Sequence, residues 1–173
     1  LNTLVGANTG DAITTGFDNV AIGRSALTTE DTGRKNVAIG SSALESQNSD
    51  ADNLNVAVGF EAGKEVTTGI QNTIIGGSAG DSLTDADFNT AVGFDALAAD
   101  TQGSKSTAMG RSALSSQNFT TATDTFNTGL GYFAGAANQT GVENTLIGAL
   151  AGDALTDADF NVAVGVAALS ADT

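Results

Sequence analysis

Asn19-Val20-Ala21-Ile22-Gly23-Arg24-Ser25-Ala26-Leu27 sets the architecture, because its opening Asn-x-small-aliphatic-Gly pentapeptide recurs ten times in 173 residues. The units begin at residues 2, 19, 36, 55, 72, 89, 106, 127, 144 and 161. Seven intervals are 17 residues long, and the other two are 19 (36 to 55) and 21 (106 to 127). A fixed period of this length belongs to a solenoid whose coils stack along one axis, each covering its neighbour's apolar face. The expected fold is all-β: a parallel β-solenoid or β-roll of about ten 17-residue coils, with 1–173 forming a single repeat rod. Both ends fall inside the pattern, and repeat arrays carry atypical caps, so the chain is expected to be part of a longer polypeptide.

Within the unit, the second and fourth places hold Val, Thr, Ile, Leu or Met, the period-2 pattern of a short strand. Taking these bulky residues as the buried face leaves the third place, usually Ala, and the fifth, always Gly, as a nearly bare face that something packs against closely. By this assignment Ile22 points into the stacked core. The first place is Asn in nine units and Ser106 in the tenth. Stacking in register sets Asn19, Asn36, Asn55, Asn72, Asn89, Asn127, Asn144 and Asn161 above one another about 4.8 Å apart, a structural ladder in which each amide donates to the next.

The eighth place is Ala in nine units, and the ninth is Gly or Leu. Gly10, Gly63, Gly80 and Gly152 are followed three residues on by Ile13, Val66, Leu83 and Leu155. Leu27, Leu44, Leu97, Leu114 and Leu169 are followed instead by Glu30, Gln47, Asp100, Gln117 and Asp172. One aliphatic side chain per coil thus fills one pocket from either place. Gly135 with Asn138 breaks the rule and predicts an underpacked coil. Turns such as Thr14-Thr15-Gly16 and Thr67-Thr68-Gly69 close the coils. Of the 22 glycines, ten hold the fifth place, five the ninth and five this turn, so glycine is positional and the chain is no flexible linker. A four-coil superrepeat lies above the coil: Ala79–Leu97 and Ala151–Leu169 match at 15 of 19 places. The extra residues follow Gln47-Asn48 and Gln117-Asn118, and these loops should bulge from one side.

Twenty acidic residues against six basic ones give a net charge of −14, which argues against nucleic acid or anionic lipid as partners. The chain has no Cys and no His, which removes disulfides, thiolate metal sites and the commonest general base. No apolar run is long enough for a membrane-inserted helix in this segment. No nucleophile elbow, phosphate loop or metal cluster is present, so the segment is expected not to be an enzyme and to need no cofactor. Asp85-Ala86-Asp87-Phe88-Asn89 and Asp157-Ala158-Asp159-Phe160-Asn161 open like a calcium loop but lack its following Gly and its twelfth-position Glu. Solvated turn carboxylates are the simpler account, with a calcium-dependent binding module as an alternative. Phe60, Phe94 and Tyr132 recur at the sixth place of alternate coils, candidates for surface contact with a glycan, a host protein or a neighbouring subunit.

The unit Asn-Val-Ala-Ile-Gly-x-Ser-Ala resembles the head repeats of trimeric autotransporter adhesins and the Asn-Thr-Ala-Val-Gly repeats of phage tail-fibre proteins. The resemblance covers the whole chain and implies a homotrimeric fibre carried on a virion or at an extracellular cell surface. The implied function is a structural shaft or head segment supporting host attachment, foremost a phage tail fibre. The alternative is a bacterial adhesin head that binds host matrix directly. A trimer also gives the Ala and Gly face of each coil something to pack against.

Overall fold

The computed structural model describes residues 1–170. Ten three-residue strands form one parallel sheet: β1 (Thr3–Val5), β2 (Val20–Ile22), β3 (Val37–Ile39), β4 (Val56–Val58), β5 (Thr73–Ile75), β6 (Thr90–Val92), β8 (Thr107–Met109), β10 (Thr128–Leu130), β11 (Thr145–Ile147) and β12 (Val162–Val164). They are ordered as in the sequence, and equivalent places pair, as Val20 with Val37 and Ala21 with Ala38. The two short strands left over, β7 (Gly103–Ser104) and β9 (Thr123–Asp124), pair with each other. No α-helix occurs among the described residues. The chain is therefore a parallel β-solenoid of about ten coils with a spacing near 17 residues, as the period predicts.

Outside the two coils that also carry β7 and β9, only three residues per described coil are strand, yet the inter-coil bonding continues round the turns. Leu27 N donates to Ala43 O at the ninth place, Ser25 N to Ala7 O at the seventh, and Lys35 N to Phe17 O at the seventeenth. This satisfies backbone groups that a turn-rich wall would otherwise leave bare. The wall needs left-handed residues at those same three places. Ser25, Leu27 and Lys35 have φ of 58°, 52° and 63°, and the described non-glycine residues of all three columns behave alike. None of them is β-branched, although Thr, Val and Ile abound elsewhere, because a branched Cβ is most strained at positive φ.

The structure inverts the expected facing of the strands. The third place points inward: Ala21, Ala38, Ala57, Ala91 and Ala108 have no exposed surface. The fourth place points outward, with Ile22 37% exposed and Met109 40%. The cause is the thinness of the coil. Leu27, Leu44, Leu97 and Leu114 reach in from the opposite wall and are fully buried, leaving room behind the strand only for Ala. Where the third place is large, the ninth is Gly. A Cβ at Gly80 would stand 2.8 Å from Leu83 Cδ1 and 3.5 Å from Ile74 Cδ1, and one at Gly152 would stand 2.7 Å from Leu146 Cδ2. The pocket is thus shared among three places, the third included.

The fifth-place glycines are also explained within one chain. Their φ values run from +129° to +143°, a region essentially closed to other residues. A Cβ on Gly23 or Gly40 would collide with the carbonyl of the fifth-place glycine in the next coil. The Ala column is therefore interior, and the half-buried Gly column from Gly23 to Gly148 is packed against the next coil of its own chain, so the two do not form a bare face waiting for another chain. The coil expected to be underpacked is filled by its neighbours. The Cβ positions of Gly129 and Gly135 lie 2.9 Å from Leu114 Cγ and 2.7 Å from Leu146 Cδ1 respectively, so leucines of the flanking coils occupy the space.

Candidate functional site

The asparagine column lies inside the rod, but its bonds do not run amide to amide. Each Oδ1 accepts the backbone N–H of the next column member: Asn36 N to Asn19 Oδ1 is 2.9 Å, Asn72 N to Asn55 Oδ1 is 2.8 Å, and Asn144 N to Asn127 Oδ1 is 2.9 Å. Each Nδ2 generally donates to a turn carbonyl fourteen residues on, as Asn19 to Gly33, Asn72 to Ala86, Asn89 to Gly103 and Asn144 to Ala158. Asparagine therefore ties the strand wall to the turn of its own coil while holding the coil that follows. Among the described residues, Asn161 alone donates its amide to the preceding column member, to Asn144 Oδ1 at 3.0 Å. In the coil beginning at Asn36 the inserted residues displace the turn carbonyl, and Asn36 Nδ2 finds no partner.

The two inserted coils rest on buried polar side chains that the sequence pattern did not single out. Glu30, fully buried, accepts from Gly33 N at 2.7 Å, from Ser49 N at 3.4 Å and from Asn53 Nδ2 at 2.8 Å. Asp100 sits equivalently under the second insertion, accepting from Gly103 N at 3.1 Å, Phe119 N at 2.9 Å and Gln117 Nε2 at 2.6 Å. Burial pushes the Glu30 carboxyl above the ordinary glutamate range, against the three bonds it accepts, and Asp31 adds in the same direction. The glutamines of the inserted coils hold the column asparagine of the next coil: Gln47 Oε1 takes Asn55 Nδ2 at 2.6 Å, and Gln117 Oε1 takes Asn127 Nδ2 at 2.8 Å. Ser106 replaces the column asparagine here, its hydroxyl 2.8 Å from Gln117 Nε2 and 2.5 Å from Thr125 Oγ1.

These insertions are less free than expected. Asn53 and Thr125 are fully buried and Phe119 nearly so, while Arg34 bridges Asp52 and β7 pairs with β9. The sequence signal was available: an acid at the twelfth place, Glu30 or Asp100, precedes each inserted coil. Asp172, at the same place in the last unit, lies outside the described residues.

The turn carboxylates act as local acceptors. Asp87 Oδ1 takes Ile70 N at 2.8 Å, Asp159 Oδ1 takes Val142 N at 2.8 Å, and Asp85 takes the Thr68 hydroxyl at 2.5 Å. Among the described residues, no three acidic, His or Cys side chains are grouped to hold a metal ion. Among the described residues, no helix is long and apolar enough to cross a membrane.

The outward faces carry the remaining candidates. Phe60, Phe94 and Tyr132 are 56%, 52% and 51% exposed. The Arg111 guanidinium lies 5.8 Å from the ring centres of both Phe94 and Tyr132 and 5.2 Å from that of Phe133. On the other flank of the strands, Phe88, Phe126 and Phe160 are exposed at the seventeenth place. Between the flanks run the outward second- and fourth-place columns, Val or Thr beside Ile, Val, Met or Leu. No protein-family model, no curated protein and no solved structure matches this chain.

Proposed function

We propose that this chain is a shaft or head segment of a homotrimeric surface fibre of the phage tail-fibre type, acting outside the cell or on a virion to support attachment to a host surface. Its mechanism is mechanical: stacked coils give a stiff spacer, and the charge of −14 limits self-association beyond the intended fibre. The observation that carries this reading is the apolar stripe of outward strand residues, which includes Ile22, Ile75, Met109 and Leu130. Ten coils extend about 48 Å, and with Phe88, Phe126 and Phe160 along one flank the stripe is roughly 15 Å wide. That area, on the order of 700 Å², approaches the ~800 Å² that each partner contributes to a stable interface. A second copy of the rod is the partner whose side-chain rows share this spacing, and the likeness to fibre repeats supplies the number three.

Light scattering on the full chain tests the proposal. A three-chain mass is expected, and a monodisperse single chain at micromolar concentration overturns it. The half-exposed Phe60, Phe94 and Tyr132 favour a second reading, a bacterial adhesin head that binds through the roll itself. A coiled-coil stalk and membrane anchor on the same polypeptide would distinguish it from the first.

A further inference from the structure

We propose that the sixth-place row of Phe60, Phe94, Arg111 and Tyr132 is a binding platform for a linear neutral polysaccharide, whose sugar rings lie on the aromatic side chains along the rod. This inference concerns one chain's surface and stands apart from the number of chains in the fibre.

The register of the row is fixed by backbone bonds. Ser78 N donates to Phe60 O at 2.9 Å, Asp95 N to Gly77 O at 3.1 Å, Ser112 N to Phe94 O at 2.9 Å and Phe133 N to Arg111 O at 3.0 Å. The sixth-place residues of successive coils are thereby stacked, about 4.8 Å apart, and the aromatics on alternate coils about 9.6 Å apart. Gly77, between the first two aromatics, leaves its coil bare, and the Phe94 ring lies over it, with Cδ2 3.4 Å from where a Cβ would stand. Between the second and third, Arg111 is held against both rings and donates to Tyr132 Oη at 3.4 Å. The row is thus a fixed, half-exposed platform with a guanidinium set into it.

Carboxylates flank it. Glu61 and Asp95 follow Phe60 and Phe94 directly. Asp81 lies close enough to both that they reinforce burial in raising its carboxyl above the ordinary aspartate range. Lys64 lies 3.7 Å from the Glu61 carboxylate, and the three acids keep this fringe negative on balance and rich in acceptors. A pyranose ring offers what such a surface takes: an apolar C–H face for the aromatic rings and a rim of hydroxyl donors for Glu61 and Asp95. Repeating polymers of other kinds fit less well. An extended peptide advances about 3.3 Å per residue, so three residues span one step and place successive side chains on opposite faces. A polyproline helix has a matching rise of about 9.3 Å per turn, but its prolines carry no N–H to give the carboxylates.

Retention of the full chain on insoluble β-linked glucan and on the N-acetylglucosamine polymer, with soluble poly-L-proline as comparison, tests the platform. Retention on at least one glycan is expected, lowered about tenfold in affinity by Phe94→Ala or Tyr132→Ala, and lowered also by Asp95→Asn. These residues are surface-exposed or partly so, and far-UV circular dichroism should be unchanged. No retention on either polymer overturns the proposal, as does undiminished retention of the Phe60, Phe94 and Tyr132 triple alanine variant. Preferential binding of poly-L-proline overturns it in favour of a peptide ligand. Loss of chain association in the triple variant, with no glycan retained by the parent, overturns it in favour of a contact between chains.

Discussion

The plain coil beginning at Asn72 and the inserted coil beginning at Ser106 solve the same stacking problem with different interiors. The first is filled by Ile74 and Leu83 around a column asparagine. The second keeps Ala108 and Leu114 but adds a buried network in which Asp100 of the preceding coil, Gln117, Ser106 and Thr125 bond to one another and to the loop. An apolar coil tolerates any aliphatic residue that fits the shared pocket, whereas the inserted coil depends on every donor finding its acceptor. Extra residues can leave this regular wall only where polar groups inside replace the bonds that regular turns would make. The same comparison divides the sources of pH sensitivity, since Glu30 belongs to an insertion and Asp81 to the plain coils.

The comparison breaks most severely if a charge is placed behind a plain strand. Ala91→Asp buries an unpaired carboxylate and should cost about 3 kcal/mol or more in thermal unfolding. A melting temperature equal to the parent's would contradict the inward third place.

Removing the acid under an insertion comes next. Asp100→Ala strands the N–H groups of Gly103 and Phe119 and leaves the Gln117 amide with Ser106 as its one acceptor, at an expected cost of about 2–4 kcal/mol. Faster amide hydrogen exchange at Gly103 and Phe119 should accompany it, with the plain coils near Asn72 unaffected. Uniform loss of protection along the rod would dissolve the distinction between the two kinds of coil.

A smaller effect tests the wall. Leu97→Ile conserves volume but puts a branched Cβ at φ 54°. It should cost about 1–2 kcal/mol more than the same exchange at an ordinary backbone site, as measured against Leu155→Ile by denaturant melts.

The smallest effect sharpens the electrostatics. Because the folded Glu30 carboxyl holds its proton to higher pH than in the unfolded chain, its contribution to stability is greatest below the ordinary glutamate range. That contribution is lost as pH rises through the raised folded value. Glu30→Gln should remove this slope and match or exceed the parent at neutral pH, with the orphaned Asn53 Oδ1 available to the new amide. Asp81→Asn should remove a slope of the same sign. The Asp81 slope should weaken in high salt, because Asp95 and Glu61 contribute to it, whereas the burial-driven Glu30 slope should persist. Melting curves from neutral to acid pH at two salt concentrations check both, and a Glu30 slope erased by salt would contradict burial as its cause.

The period, strand positions, glycine columns and Gly or Leu exchange were legible because stacking forces equivalent places to carry equivalent residues. The facing of the strand was not. Val20 and Ala21 are both apolar, so a period of two fixes the alternation without saying which parity lies inside, and the thinness of the coil decides it. Positive φ at the seventh, ninth and seventeenth places left a trace in the absence of β-branched residues, of which Leu rather than Ile at 27 and 97 is the clearest sign. The burial of Glu30 and Asp100 was not legible, because a buried acid is recognised by the donors folded onto it, and those donors lie on loops up to 23 residues away. The aromatics at 60, 94 and 132 were visible by spacing, but the Arg111 stack between two of them required coordinates.

The bulky fourth-place residues face out of each coil, and we propose that they meet another copy of the rod. This central claim is tested most directly by light scattering on a chain carrying Val58→Asp, Val92→Asp and Leu130→Asp together. A single-chain mass is expected, with the β-sheet circular dichroism of the parent retained. An unfolded chain would put these residues back inside the coil, and a folded chain of multi-chain mass would remove them from the interface.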